Sequence, residues 1–191
     1  MIFPVKEFED LPEELNNSSY VDFLLFLAKL KPSLRIKLND ECIQDKLKMW
    51  CINNHFKFVT NEDNYFYIAR DKYSVDQLKR IDDSYDPHEF EFGRLLGYPI
   101  CCCQKIAVVG EVYIDEWEAI FVKESHFEGR YEIINPKGYS EGYSLISHIP
   151  CSPKCMPSLK IAQKVLSIIM RYKYNKYFDK WNYWTNLKPI D

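Results

Sequence analysis

Glycine is scarce in this sequence, with six residues in 191. Loops that cradle phosphate need glycines close together, and neither a Walker A pattern nor G-x-G-x-x-G occurs. H-E-x-x-H and G-x-S-x-G are absent too. These absences argue against a glycine-loop nucleotide enzyme, a zinc protease of the helical type and an α/β-hydrolase. Charge of one sign is also lacking. The net charge of −3 is too small to demand a polyanionic or polycationic partner for the whole molecule. Long apolar runs are missing as well. "YVDFLLFLAKL" and "KVLSIIM" fall short of the roughly 20 apolar residues a membrane helix needs. The first residues, "MIFPVKEFEDLPEEL", show no basic stretch followed by an apolar run, so no signal peptide is expected. A cytoplasmic location follows as the expectation, and reducing conditions there disfavour a disulfide framework.

What is present suits a folded domain. Hydrophobic residues make up 47% of the chain, and a chain of this size buries roughly 70% of its unfolded surface. One domain over 1–191 is expected, with an N-terminal helical and hairpin part over 1–85 and a helical part carrying the cysteines over 86–191. "SSYVDFLLFLAKLK" reads as a helix entered through Ser18 or Ser19 and closed before Pro32. "DECIQDKLKMWCINN" reads as a second helix capped by Asp40. "HFKFVT" and "YFYIAR" flank the polar "NEDN", a hairpin signal. "SVDQLKRIDD" is a short helix capped by Ser74. "DPHEFEFGRLLG" is another, with Asp86 as cap, Pro87 at its first position and Gly97 closing it. Pro99 then starts "PICCCQKIAVVG", and "EVYIDEWEAIFVKE" continues or re-enters helix. Residues 129–150 read as a loop with one or two short strands. In the last helix Leu159, Ala162, Val165, Leu166, Ile169, Tyr177 and Trp181 recur at three- and four-residue spacings. The expected class is α+β, mostly helical, with a small antiparallel sheet.

Seven cysteines are present, and five fall in two short segments, each beside a proline: "YPICCC" and "HIPCSPKC". Clustered cytosolic cysteines bind metal or do catalysis more often than they form disulfides. Each helical residue turns by about 100°, so Cys101 and Cys102 can face one rim while Cys103 points away into packing. In the first turn of a helix the unpaired N–H groups and the positive dipole end favour a thiolate. Pro150 holds Ile149 extended, and Cys155 follows Cys151 by one turn, so His148, Cys151 and Cys155 form a compact trio. The two segments together offer thiolates and an imidazole, which suits a tetrahedral zinc or an iron–sulfur cluster. Two other readings stay open. One is a metal-free thiol enzyme with a nucleophile among Cys101, Cys102, Cys151 and Cys155 and with His148 as base. The other is a zinc-stabilised, non-catalytic module that binds protein or RNA. Neither substrate nor reaction is legible.

"FGRLLGYPICC" followed by "HIPCSPKC" resembles the signature of an uncharacterised, mainly archaeal family, a domain of unknown function with the pattern G-Y-P-x-C-C … H-x-P-C-S-x-x-C. The likeness is close over the two motifs and looser from about Tyr65 onward. It implies family positions at Gly97, Tyr98, Pro99, Cys101, Cys102, His148, Pro150, Cys151, Ser152 and Cys155, and leaves Cys103 outside. No activity comes with it.

Other residues read more plainly. Cys42 and Cys51 lie half a turn apart on one helix and are expected in the core. Arg94 is a candidate to hold an anionic group near the thiols, weighed against a surface position. Tyr98 either lines a pocket or covers the core. His55, His88 and His126 have no partner at ligand spacing. The C-terminal "RYKYNKYFDKWNYW" interleaves basic and aromatic residues, as single-strand nucleic-acid surfaces do. Its helical spacing favours aromatic packing with lysines reaching to solvent, so nucleic acid is not the favoured partner.

Overall fold

The computed structural model describes residues 2–84, 88–124, 133–173 and 175–181. The first turn, α1 (Val5–Glu9), precedes the helix at the centre of the fold, α2 (Asn17–Leu27). Asn16 caps α2, its Oδ1 accepting from the Ser19 N–H at 2.8 Å. The cap therefore falls just before the serines from which the sequence starts the helix. From Val21 through Leu27 every side chain of α2 is buried, including Asp22. A helix apolar nearly all round must be covered on all sides.

β1 (Ser33–Lys37), β2 (Lys57–Thr60) and β3 (Tyr65–Ala69) form an antiparallel sheet in the order β1-β3-β2. β2 and β3 are the hairpin expected from the sequence. β1 is not legible there. Its Leu34 and Ile36 alternate for only two positions, and what makes it a strand is pairing with β3 from Ser33↔Ala69 to Lys37↔Tyr65. Being central, β3 is covered on both faces. Phe66 and Ile68 join the main core, while Tyr67 and Ala69 pack with Val75, Leu78 and Leu96 on the other side. α3 (Glu41–Asn53) is capped by Asp40 as expected. Cys51 is buried on it, but Cys42 is exposed, because it sits on the solvent side of the first turn. α4 (Lys72–Asp82) begins one cap earlier than read, with Asp71 accepting from the Ser74 N–H at 2.8 Å.

α5 (Glu89–Leu95) and α6 (Ile100–Val109) carry the first cysteine segment. The expected cap at Asp86 and Pro87 lies outside the described residues. Gly97 sits between the two helices at φ 81°, a left-handed conformation that favours glycine. A Cβ there would meet Pro32 Cδ at 2.4 Å. This turn thus lays α5 directly against residues 30–32. Gly110, at φ 82°, ends α6 before α7 (Ile114–Glu124). Within 133–150 short 3-10 turns replace the expected strands, and no strand occurs there among the described residues.

α8 (Met156–Tyr172) buries Leu159, Ala162, Val165 and Ile169, the stripe read from the sequence. It stops before Tyr177. A 3-10 segment, Lys176–Trp181, folds Phe178 and Trp181 back into the core against Phe8, with ring centroids at 5.4 and 6.2 Å. Trp184 lies outside the described residues. Among these residues the fold is α+β and mostly helical.

Candidate metal centre

Pro99 is the N-cap of α6 rather than its first residue, and its carbonyl accepts from the N–H groups of Cys102 and Cys103. Cys101 and Cys102 are the second and third residues of the helix, with thiols on one side. Cys103 points the other way. Its Sγ reaches the Tyr98 carbonyl at 3.5 Å, and a Cβ added at Gly93 would meet it at 2.9 Å. Helical rotation thus separates it from its two neighbours.

The second segment is a turn followed by a helix start. The Cys155 N–H donates to the Ser152 carbonyl at 3.1 Å, and Cys155 is itself the N-cap of α8. Pro157 lies in the first turn of α8, where a missing N–H costs nothing. The N-termini of α6 and α8 both meet at the cysteines. Two positive helix ends therefore face the same sulfurs.

The segments come together. Cys155 Sγ lies 3.7 Å from Cys101 Sγ and 3.6 Å from Cys102 Sγ, and those two are 4.0 Å apart. The sulfurs of Cys101, Cys102, Cys151 and Cys155 all lie within 4.8 Å of one another, a group that could hold a metal ion. His148 does not belong to this group. Its Nε2 is 2.8 Å from Ser158 Oγ, which donates to Cys155 Sγ at 3.2 Å. The imidazole thus supports a sulfur through one hydroxyl.

The charge pattern follows from these contacts. Donation from the Cys102 thiol and the Ser158 hydroxyl outweighs burial and pulls Cys155 down to about 4. Cys102 is pushed up by donating to Cys155 and by burial, and Cys151 rises to about 12, chiefly through burial. A bound cation would favour the thiolate at each raised thiol. His148 is held neutral, down to about 3, by burial and by the nearby Lys31 ammonium.

Behind the sulfurs opens a cavity of about 690 Å³, whose lining includes Cys102 and His148. Its deep end is polar. Lys31 Nζ donates to Asp22 Oδ1 at 2.5 Å and to Ser147 Oγ at 3.0 Å, and the Tyr139 hydroxyl donates to Asp22 Oδ2 at 2.5 Å. The Lys31 and Asp22 side chains are each 5% exposed. Burial works against the Lys31 charge, yet attraction to Asp22 overcomes it and the pKa rises. Tyr98 completes this end, its ring 5.3 Å from that of His148 and 5.1 Å from Lys31 Nζ. Burial raises its hydroxyl against the opposing pull of Lys31.

Sequence reasoning picked the cysteines, His148 and Tyr98, but it missed Asp22 and Lys31. The available signal was Asp22 itself, a lone carboxylate inside "YVDFLLFL", since a charge in an apolar helix is buried only with a partner. Arg94 reaches the Cys103 thiol with its charge, which works against the effect of burial there. It is exposed on α5, its guanidinium 5.9 Å from the Phe90 ring, and Lys31 is the cation beside His148. Pro150 is buried next to Cys151, and Ser152 contributes its carbonyl to the turn.

The fold and site describe a mostly helical α+β protein with a four-cysteine group beside a polar-ended cavity. The chain is similar to the uncharacterised protein MJ1106 of Methanocaldococcus jannaschii, with 35% identity over 86 residues. That alignment covers 43% of this chain and 38% of the relative, so the chain spans well under half the length of that curated protein. No protein-family model and no solved structure matches the chain.

Proposed function

We propose that this chain is a zinc–thiolate protein in which Cys101, Cys102, Cys151 and Cys155 hold one tetrahedral ion. The observation that carries the proposal is the sulfur spacing. Zinc–sulfur bonds of about 2.3 Å put the sulfurs of a tetrahedral shell roughly 3.8 Å apart, and the separations of 3.6, 3.7 and 4.0 Å match it. An iron–sulfur cluster spreads its cysteines over several irons, which suits sulfurs farther apart than these. Four cysteine ligands leave no open position, so the ion's part is structural. It clamps residues 97–103 to 148–155, and with them Tyr98, Ser147 and His148 at the deep end of the cavity. His148 reaches a sulfur only through Ser158, which suits an imidazole that orients a ligand better than a base acting on a thiol.

The test is metal analysis and visible spectroscopy of protein purified without oxygen and without added metal. One zinc per chain and no visible absorption is the expected result. A single iron, or iron with sulfide, would replace zinc as the ion. Metal-free, fully folded protein would sink the proposal.

A further inference from the structure

We infer that the cavity behind the cysteines is a binding site for an uncharged small molecule with an apolar body and one hydroxyl or carbonyl end. Its volume of about 690 Å³ falls within the range of small-ligand sites. Phe92, Leu96, Ile106, Val109 and Ile114 form apolar walls, one group of polar side chains is gathered around the buried Lys31 and Asp22, and Arg35, Asp82, Glu89 and Glu118 line the cavity elsewhere. That pattern, apolar walls with a few convergent polar groups, is how such sites orient a ligand.

The charge of the ligand follows from how the lining charges are paired. Lys31 and Arg35 line the cavity, and each already faces a carboxylate: Lys31 faces Asp22, and Arg35 Nε faces Asp82 Oδ2 at 2.6 Å. An anionic ligand would meet no free counter-charge from either. It would also share the space with the carboxylates of Asp22 and Glu118. A cation at the deep end would meet the Lys31 ammonium. Burying an unpaired charge is costly, whereas a hydroxyl or carbonyl needs only a hydrogen bond. Tyr98, Ser147 and His148 line the deep end with groups able to make one.

The probes are three naphthalenes with one body and different heads: 2-naphthol, 2-naphthoate and 2-naphthylmethylammonium, titrated by calorimetry at pH 7 into the metal-loaded protein. 2-Naphthol should bind one site per chain with Kd below about 1 mM. Both charged analogues should bind about tenfold more weakly or worse. Ile106→Trp, which places an indole in the cavity, should abolish the 2-naphthol heat while leaving circular dichroism and bound metal unchanged. If that variant does not fold, Val109→Trp, at a half-buried lining position, serves instead. No saturable binding of 2-naphthol, equal or tighter binding of a charged analogue, or unchanged affinity in a folded tryptophan variant would overturn the inference. Metal content is measured on the same samples. Metal-free protein that binds 2-naphthol would sink the zinc proposal alone, and metal-loaded protein that ignores it would sink this one alone.

Discussion

Asp22→Asn is the most informative single change. It keeps the size of a side chain that is 5% exposed and removes its charge. Asp22 receives two donors, Lys31 Nζ on one oxygen and the Tyr139 hydroxyl on the other. An asparagine amide can accept from one and must present its own N–H to the other. The Lys31 ammonium is left buried without a counter-charge. Breaking a buried pair in this way costs roughly 3–5 kcal/mol, a large part of the roughly 5–15 kcal/mol that stabilises a typical domain. The sign of the pH dependence should also reverse. In the native protein the Lys31 pKa is raised, so its contribution is complete below the unfolded value and is lost as pH rises through the folded one. Without Asp22, burial, the largest influence on Lys31, is opposed only by Tyr98, and the folded pKa drops below the unfolded value of about 10.4. The unfolded state then binds the extra proton, and stability rises with pH by at most ~1.4 kcal/mol per unit. Urea unfolding at pH 7, 8 and 9.5 measures both effects. The double variant Asp22→Leu, Lys31→Met should regain at least half of the loss, since removing both charges removes the unpaired ion. A loss under about 1 kcal/mol, or no pH dependence in Asp22→Asn, would refute the argument that the pair is buried and obligatory.

Three further outcomes are expected. Cys151→Ser should lose the metal and lower the melting temperature if ligation contributes to folding, whereas Cys103→Ala should keep the metal and cost on the order of 1 kcal/mol; metal analysis with thermal scans compares them, and equal effects on both readouts would contradict the division. Gly97→Ala should cost at least the roughly 1–2 kcal/mol of a left-handed alanine, plus the displacement of Pro32 from a Cβ 2.4 Å away; a change below about 0.5 kcal/mol in chemical denaturation would show that the turn relaxes freely. His148, held down to about 3, takes its proton in the unfolded state first. Stability should therefore fall as pH drops below about 6.5, by up to ~1.4 kcal/mol per unit. His148→Gln should flatten that slope between pH 6 and 4.5, and identical slopes would count against a neutral, half-buried imidazole.

Much of the fold was legible because local signals and tertiary demands agree. Asp40 caps its helix, the polar "NEDN" turns the hairpin, and the apolar stripe of α8 faces the core. The misreadings fall where the local signal is short. β1 is a strand because β3 pairs with it, and Cys42 is exposed because only one side of α3 meets the core. The expected strands in 129–150 had turn-rich composition as their only support.

The cysteine site divides the same way. Residue type, the adjacent prolines and the 100° helical step separated Cys101 from Cys103, because those constraints act within a few residues, while the step alone leaves Cys102 equally far from both. That Cys151 and Cys155 meet them, that His148 stops at Ser158 and that Asp22 and Lys31 build the polar group in the cavity were decided only by packing. A side chain's chemistry is carried by its own residue, but its partners come from distant parts of the chain. Here Lys31 meets Ser147 across 116 residues of chain, beside the Gly97 turn that lies on Pro32 and the buried Asp22 of α2.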